Sequence, residues 1–78
     1  MSCTLDRRIE ECRVRLEGAS SIQEEILYRA EWYGLRVAAG HPRPPVIFTP
    51  RERARFELGL RDGETLRRVE RPLDEVFR

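Results

Sequence analysis

The chain contains no lysine: all 15 of its basic residues are arginine. Arginine codons are GC-rich and lysine codons AT-rich, so a high-GC genome accounts for the bias. The functional alternative is a use for arginine's planar, bidentate fork at an interface. Against 14 acidic residues the net charge is +1, which lacks the basic footprint of most nucleic-acid binders. No apolar run approaches the ~20 residues that span a bilayer. The opening residues lack the apolar stretch of a signal peptide. A cytoplasmic chain with no membrane association is therefore expected.

Reactive groups are equally sparse. Histidine occurs once, at His41, and cysteine twice, at Cys3 and Cys12. On one helix the two cysteines would sit about 13 Å apart along the axis. A disulfide needs Cα atoms within about 7 Å, so free thiols are expected, as in a reducing compartment. The cysteines and His41 do not have metal-ligand spacing. The sequence also lacks a Gly-x-Ser-x-Gly elbow, a phosphate-cradling glycine loop and a dinucleotide fingerprint. No catalytic residue, metal, cofactor or small-molecule substrate is expected, and the chain reads as a non-enzyme.

What is present fits a single small domain spanning residues 1–78, with 40% hydrophobic and 37% charged residues. The charged share is well above the usual quarter, so the core is lean. Residues 4–17 read as a helix with a narrow seam of Leu5, Ile9, Cys12 and Leu16. Gly18 suits a left-handed helix end. Ser21-Ile22-Gln23-Glu24 is a capping box opening a second helix over 22–39, closed by Gly40. A loop this short makes 4–39 an antiparallel αα-hairpin. One broad arc of the second helix (Ile22, Ile26, Leu27, Ala30, Tyr33, Val37 and Ala38) is expected to pack on the seam of the first and on whatever follows. Residues 40–45, Gly-His-Pro-Arg-Pro-Pro, form a stiff spacer.

Residues 46–78 read as a β-ribbon and tail. Val46-Ile47-Phe48 is β-rich. Ala54, Phe56, Leu58 and Leu60 alternate with polar residues, and Asp62-Gly63 is a favoured hairpin pair that would set Arg61 opposite Glu64. Thr49-Pro50-Arg51-Glu52 reads either as a turn or as a helix start with Thr at N-cap, Pro at N1 and Glu at N3. The expected fold class is α+β: an N-terminal antiparallel αα-hairpin followed by a small antiparallel β-ribbon. The alternative is all-α with a third helix near 50–60.

Two stretches echo known families. Arg51-Glu52-Arg53 followed by Gly59-Leu60-Arg61-Asp62-Gly63-Glu64 resembles the opening of the promoter-binding region of bacterial sigma factors, which implies helix. Leu58-Gly59-Leu60-Arg61-Asp62-Gly63-Glu64-Thr65-Leu66 resembles the first motif of Sm-like RNA-binding barrels, which implies strand. Each covers under a quarter of the chain, and neither supplies a site residue.

For function, a second patch on the 22–39 helix stands out: Tyr28, Trp32 and Leu35, bordered by Arg29 and Arg36. Trp, Tyr and Arg are the residue types enriched at interface hot spots. The patch points to a small protein-binding module, an adaptor, regulator or inhibitor of a larger protein, of a type common in phages and mobile elements. Its partner is another protein or a second copy in a homodimer. The alternative is a nucleic-acid-binding transcriptional regulator using Arg53, Arg55, Arg61, Arg67 and Arg68.

Overall fold

The structure, a computed structural model, describes residues 4–69. Three helices follow one another: α1 (Thr4–Glu17), α2 (Ile22–Ala38) and α3 (Pro50–Val69). The expected tail 70–78, with Pro72, and the thiol of Cys3 lie outside the described residues.

The first two helices run as the sequence predicts. Ser21 caps α2, its Oγ accepting from the Glu24 amide at 3.1 Å. The Glu24 carboxylate reaches back one residue further than a standard box, accepting from the Ser20 hydroxyl (2.7 Å) and amide (3.1 Å). Gly40 takes the left-handed conformation after α2, at φ 105°, whereas Gly18 does not. On α1, Arg13 bridges Glu10 and Glu17. The hairpin is antiparallel: Leu5 meets Leu35 in the core, Arg8 reaches Glu31, and Cys12 donates to the Tyr28 carbonyl.

The α+β expectation is overturned. Among the described residues there is no strand, and the fold is all-α. Residues 50–69, expected as a ribbon around an Asp62-Gly63 turn, form one continuous helix. The Sm-like likeness, which implied strand here, falls with the ribbon. The three-helix alternative is what the structure shows, with α3 running on to Val69. Its start has the cap that the sequence offered: the Thr49 amide donates to Glu52 Oε1 at 3.0 Å, and the Glu52 amide to Thr49 Oγ1 at 3.3 Å. The apparent period-2 alternation is incidental. Ala54 and Leu58 point to solvent, while the buried positions are Phe56, Gly59 and Gly63. That is helical spacing with glycine at two of three contact points.

Those glycines explain why an Asp-Gly pair sits inside a helix. A Cβ on Gly59 would stand only 3.0 Å from the Glu31 carbonyl carbon and closer still to its oxygen. One on Gly34 would meet Leu60 N at 2.6 Å, and one on Gly63 would meet the Ala38 methyl at 2.5 Å. The helices α2 and α3 therefore touch backbone to backbone. The bonds that would carry a Cβ at Gly34 and Gly59 aim at the carbonyls of Phe56 and Glu31, placing α-hydrogens for weak C–H···O contacts across the seam.

Contacts along the seam climb together, from Tyr28 with Arg55, through Glu31 with Gly59, to Ala38 with Gly63 and Arg67. So α2 and α3 are parallel. Parallel neighbours cannot share a short loop, and residues 40–49 run back beside them as a non-helical crossover. Phe48 holds the crossover down, stacked on Phe56 at 5.0 Å and beside Tyr33 at 6.4 Å.

The two faces of α2 are used differently from the expectation. Of the broad arc, Ala38 meets Gly63 of α3, the segment that follows, while Ile22 is 74% exposed. α1 lies on the side carrying Trp32, Leu35 and Ala39, which join Leu5, Ile9, Cys12 and Leu66 in the core.

Candidate interaction surface

α1 covers much of the patch singled out from the sequence. Leu35 is fully buried at the centre of the core. Trp32 is half-buried against that core, with the Arg36 guanidinium 4.5 Å from its ring centroid and Tyr33 at 5.4 Å. Tyr28 is half-buried, and the Arg55 guanidinium lies 5.9 Å from its ring. Arg29 is exposed and paired with Glu25 at 2.9 Å. The structure thus brings Tyr28, Trp32 and Arg36 to the margin of α1, removes Leu35 from the surface, and leaves Arg29 outside.

Beneath α1 lies a polar cluster drawn from all three helices. Glu31 is 5% exposed. Arg8 Nη2 stands 3.5 Å from it, and Arg8 Nε 3.2 Å from Asp62. The single S–H of Cys12 is shared between Glu31 Oε2 and the Tyr28 carbonyl oxygen, each 3.5 Å from the sulfur. Burial first, then the neighbouring Glu31 carboxylate, pushes the Cys12 thiol up to about 11. Such a thiol is a poor nucleophile. The cluster ties α1 across the α2–α3 seam and is structural. Among the described residues no group of three or more His, Cys, Asp or Glu side chains could hold a metal ion.

The arginines of the alternative reading divide. At 100° per residue Arg53, Arg61, Arg67 and Arg68 fall within an arc of about 120° on α3. Arg55 lies on the other side, over Tyr28. The shared arc is mixed in sign, because Glu57 and Glu64 fall within it. Arg67 is also engaged: its Nη1 donates to the Ala38 carbonyl at 3.0 Å, closing the C-terminal end of α2.

That arc borders a groove between α3 and the crossover. One half, about 490 Å³, lies between Val46, Ile47 and Phe48 on the crossover and Arg53, Phe56 and Glu57 on α3. The other, about 640 Å³, lies between Val37 and Ala38 of α2 and Glu64, Arg67 and Arg68 of α3. Arg43 and Leu60 line both halves, so the groove is two hollows that adjoin at these residues. It has an apolar floor with guanidinium groups along its length. Arg43 is steadied by the Phe56 ring, 5.6 Å from its guanidinium carbon.

On its rim Ile47 is 95% and Val46 45% exposed. The sequence reading missed Arg43, Val46, Ile47 and Leu60. The first lay in the segment read as a spacer and the rest in segments read as strands, where their faces were assigned by alternation. The available signal was Pro42, Pro44 and Pro45, which forbid helix and force an extended path past whatever follows.

Comparison with protein-family models, with curated proteins and with solved structures finds no match to this chain. No helix among the described residues is long and apolar enough to cross a membrane.

Proposed function

We propose that this chain is a small, non-enzymatic protein-binding module, an adaptor, regulator or inhibitor of a larger protein, and that the groove between the crossover and α3 is its docking surface. The observation that carries this reading is Val46-Ile47 on the groove rim. Ile47 is almost wholly exposed on a segment held in place by its neighbour Phe48. Single exposed aliphatics are ordinary; this pair adjoins an apolar-floored groove. Covering an isoleucine fully is worth roughly 1.5–3 kcal/mol, which gives a partner an anchor that this small fold leaves unused. The free thiol of Cys12 supports a reducing, cytoplasmic setting.

The test is site-directed photo-crosslinking. A benzophenone amino acid at Ile47 should trap one protein from lysate of the source cells, or a second copy of the chain, while the same group at Arg7 on α1 should not. Capture lost on adding excess unlabelled chain, but retained with excess Ile47→Asp chain, supports docking at the groove. Equal, indiscriminate labelling from both positions refutes it.

The common arc of Arg53, Arg61, Arg67 and Arg68 favours a second reading, the nucleic-acid-binding regulator. Its affinity for a duplex would fall steeply with salt. The interleaved Glu57 and Glu64 count against it.

A further inference from the structure

We infer that the groove takes an acidic peptide segment carrying aliphatic side chains; this rests on the protein-binding reading and names the chemistry of its partner. Four arginines, Arg43, Arg53, Arg67 and Arg68, line the groove against two glutamates, Glu57 and Glu64. Its floor is apolar, formed by Phe56 and Leu60 with Phe48 beside them. A ligand that satisfies both must offer carboxylates and hydrocarbon together. Planar guanidinium forks pair with carboxylates through two parallel hydrogen bonds.

None of these four arginines has an ion pair with a side chain among the described residues; Arg67 is held on a backbone carbonyl and Arg43 over a ring. Both are placed in advance and still carry unused donors, which lowers the ordering cost of binding.

The shape narrows the ligand further. From Arg53 to Arg68 the groove follows about 22 Å of helix axis, the span of roughly seven extended residues. Strand addition is poorly served by the crossover edge. Pro42, Pro44 and Pro45 have no N–H, the His41 amide already donates to Arg36, and the Val46 amide donates to Pro44 at 2.8 Å. A peptide is therefore read chiefly through its side chains. Nucleic acid fits less well. Glu57 and Glu64 would stand against the phosphates.

The experiment selects from a displayed library of random dodecamer peptides on the whole chain, with a labelled single-stranded oligonucleotide run in parallel. Selected peptides should be enriched in Asp or Glu together with Leu, Ile or Val. Replacing their acids by amides should weaken binding at least tenfold. Chain carrying Arg43→Glu and Arg68→Glu should lose them, while Arg7→Glu and Arg15→Glu on α1 should not. Circular dichroism confirms that each variant keeps its helicity.

Three results overturn the inference: no enrichment, enrichment without acids, or an oligonucleotide that binds more tightly than any selected peptide. The readings fail separately. If Ile47 crosslinks a protein through a non-acidic segment, the module stands and this choice of ligand falls. If Ile47 traps no protein, both fall.

Discussion

Replacing Gly59 by alanine probes the α2–α3 seam most directly. In an exposed helix this exchange stabilises by about 1 kcal/mol, because alanine loses less backbone freedom. Here the new methyl carbon would stand 3.0 Å from the carbon and 3.1 Å from the Cα of Glu31, and closer to its oxygen. All of these are backbone atoms, so no side-chain rotation relieves the overlap. Ordinary carbon contacts lie at about 3.5–4.0 Å, and a gap of 0.5–1 Å forfeits roughly a quarter to a half of each dispersion contact around it. Parting the helices by that distance also strains the Gly34 and Gly63 contacts. Overpacking of this kind costs about 1–3 kcal/mol; the rigid neighbours place Gly59 at the upper end.

Offset by helix propensity, the expected net loss is about 2 kcal/mol. With a urea m-value of about 1 kcal/mol per molar for so small a chain, the unfolding midpoint should fall by roughly 2 M. The control is Gly18→Ala, whose methyl meets the Val14 and Arg15 carbonyl oxygens at an ordinary 3.4 and 4.0 Å, with no positive φ to strain. It should stabilise by about 0.4–1 kcal/mol. A Gly59→Ala chain about 1 kcal/mol more stable than the parent would refute the seam, since propensity alone would then decide the sign.

Three further outcomes are expected. Arg8→Ala should destabilise by roughly 3 kcal/mol in urea titration, because it leaves the buried Glu31 without its cation. Arg8→Met with Glu31→Met should recover most of that loss; a double variant no better than the single would contradict it. In a Cys3→Ser background the Cys12 thiol, raised to about 11 by burial, should react with Ellman's reagent at pH 8 only as fast as the fold opens, and at once above the urea midpoint. Rapid labelling of the native chain would count against its burial. Hydrogen bonds from Ser20 and from Thr49 hold the Glu24 and Glu52 carboxyls below their ordinary value of 4.5. A depressed folded pKa gives stability that is present above the unfolded value and lost as pH falls through the folded one. Stability should therefore hold above about pH 4.5 and decline below it, and Glu24→Gln with Glu52→Gln should flatten that acid limb.

The legible parts of the fold were those written in side-chain chemistry. Ser21 announced its helix, Thr49 offered one as the alternative to a turn, and Leu5, Ile9 and Cys12 marked the inner face of α1. α3 was misread because its contact positions carry no side chain. Hydrophobic periodicity cannot register Gly59 and Gly63, so the flanking alternation of Ala54, Phe56, Leu58 and Leu60 set the reading. The same blindness hid which neighbour each face of α2 takes. Gly34 and Ala38 meet α3, which left the aromatic side for α1. For the candidate surface, the arginines of α3 could be read individually. Their grouping with Arg43 and Ile47 depended on the parallel course of two helices, which no local pattern encodes.

A seam built of backbone and methyl groups also has a thermal consequence. The heat-capacity change of unfolding comes from apolar surface newly wetted, about 12–15 cal/mol/K per residue in ordinary domains. The α2–α3 contact here hides glycine and alanine where most helix pairs hide leucine and isoleucine. Its increment falls below that range, and the curve of stability against temperature is correspondingly shallow. Chilling removes little from a contact that owes little to hydrocarbon, so on cooling the α2–α3 pairing should outlast the Leu5–Leu35 core beneath α1.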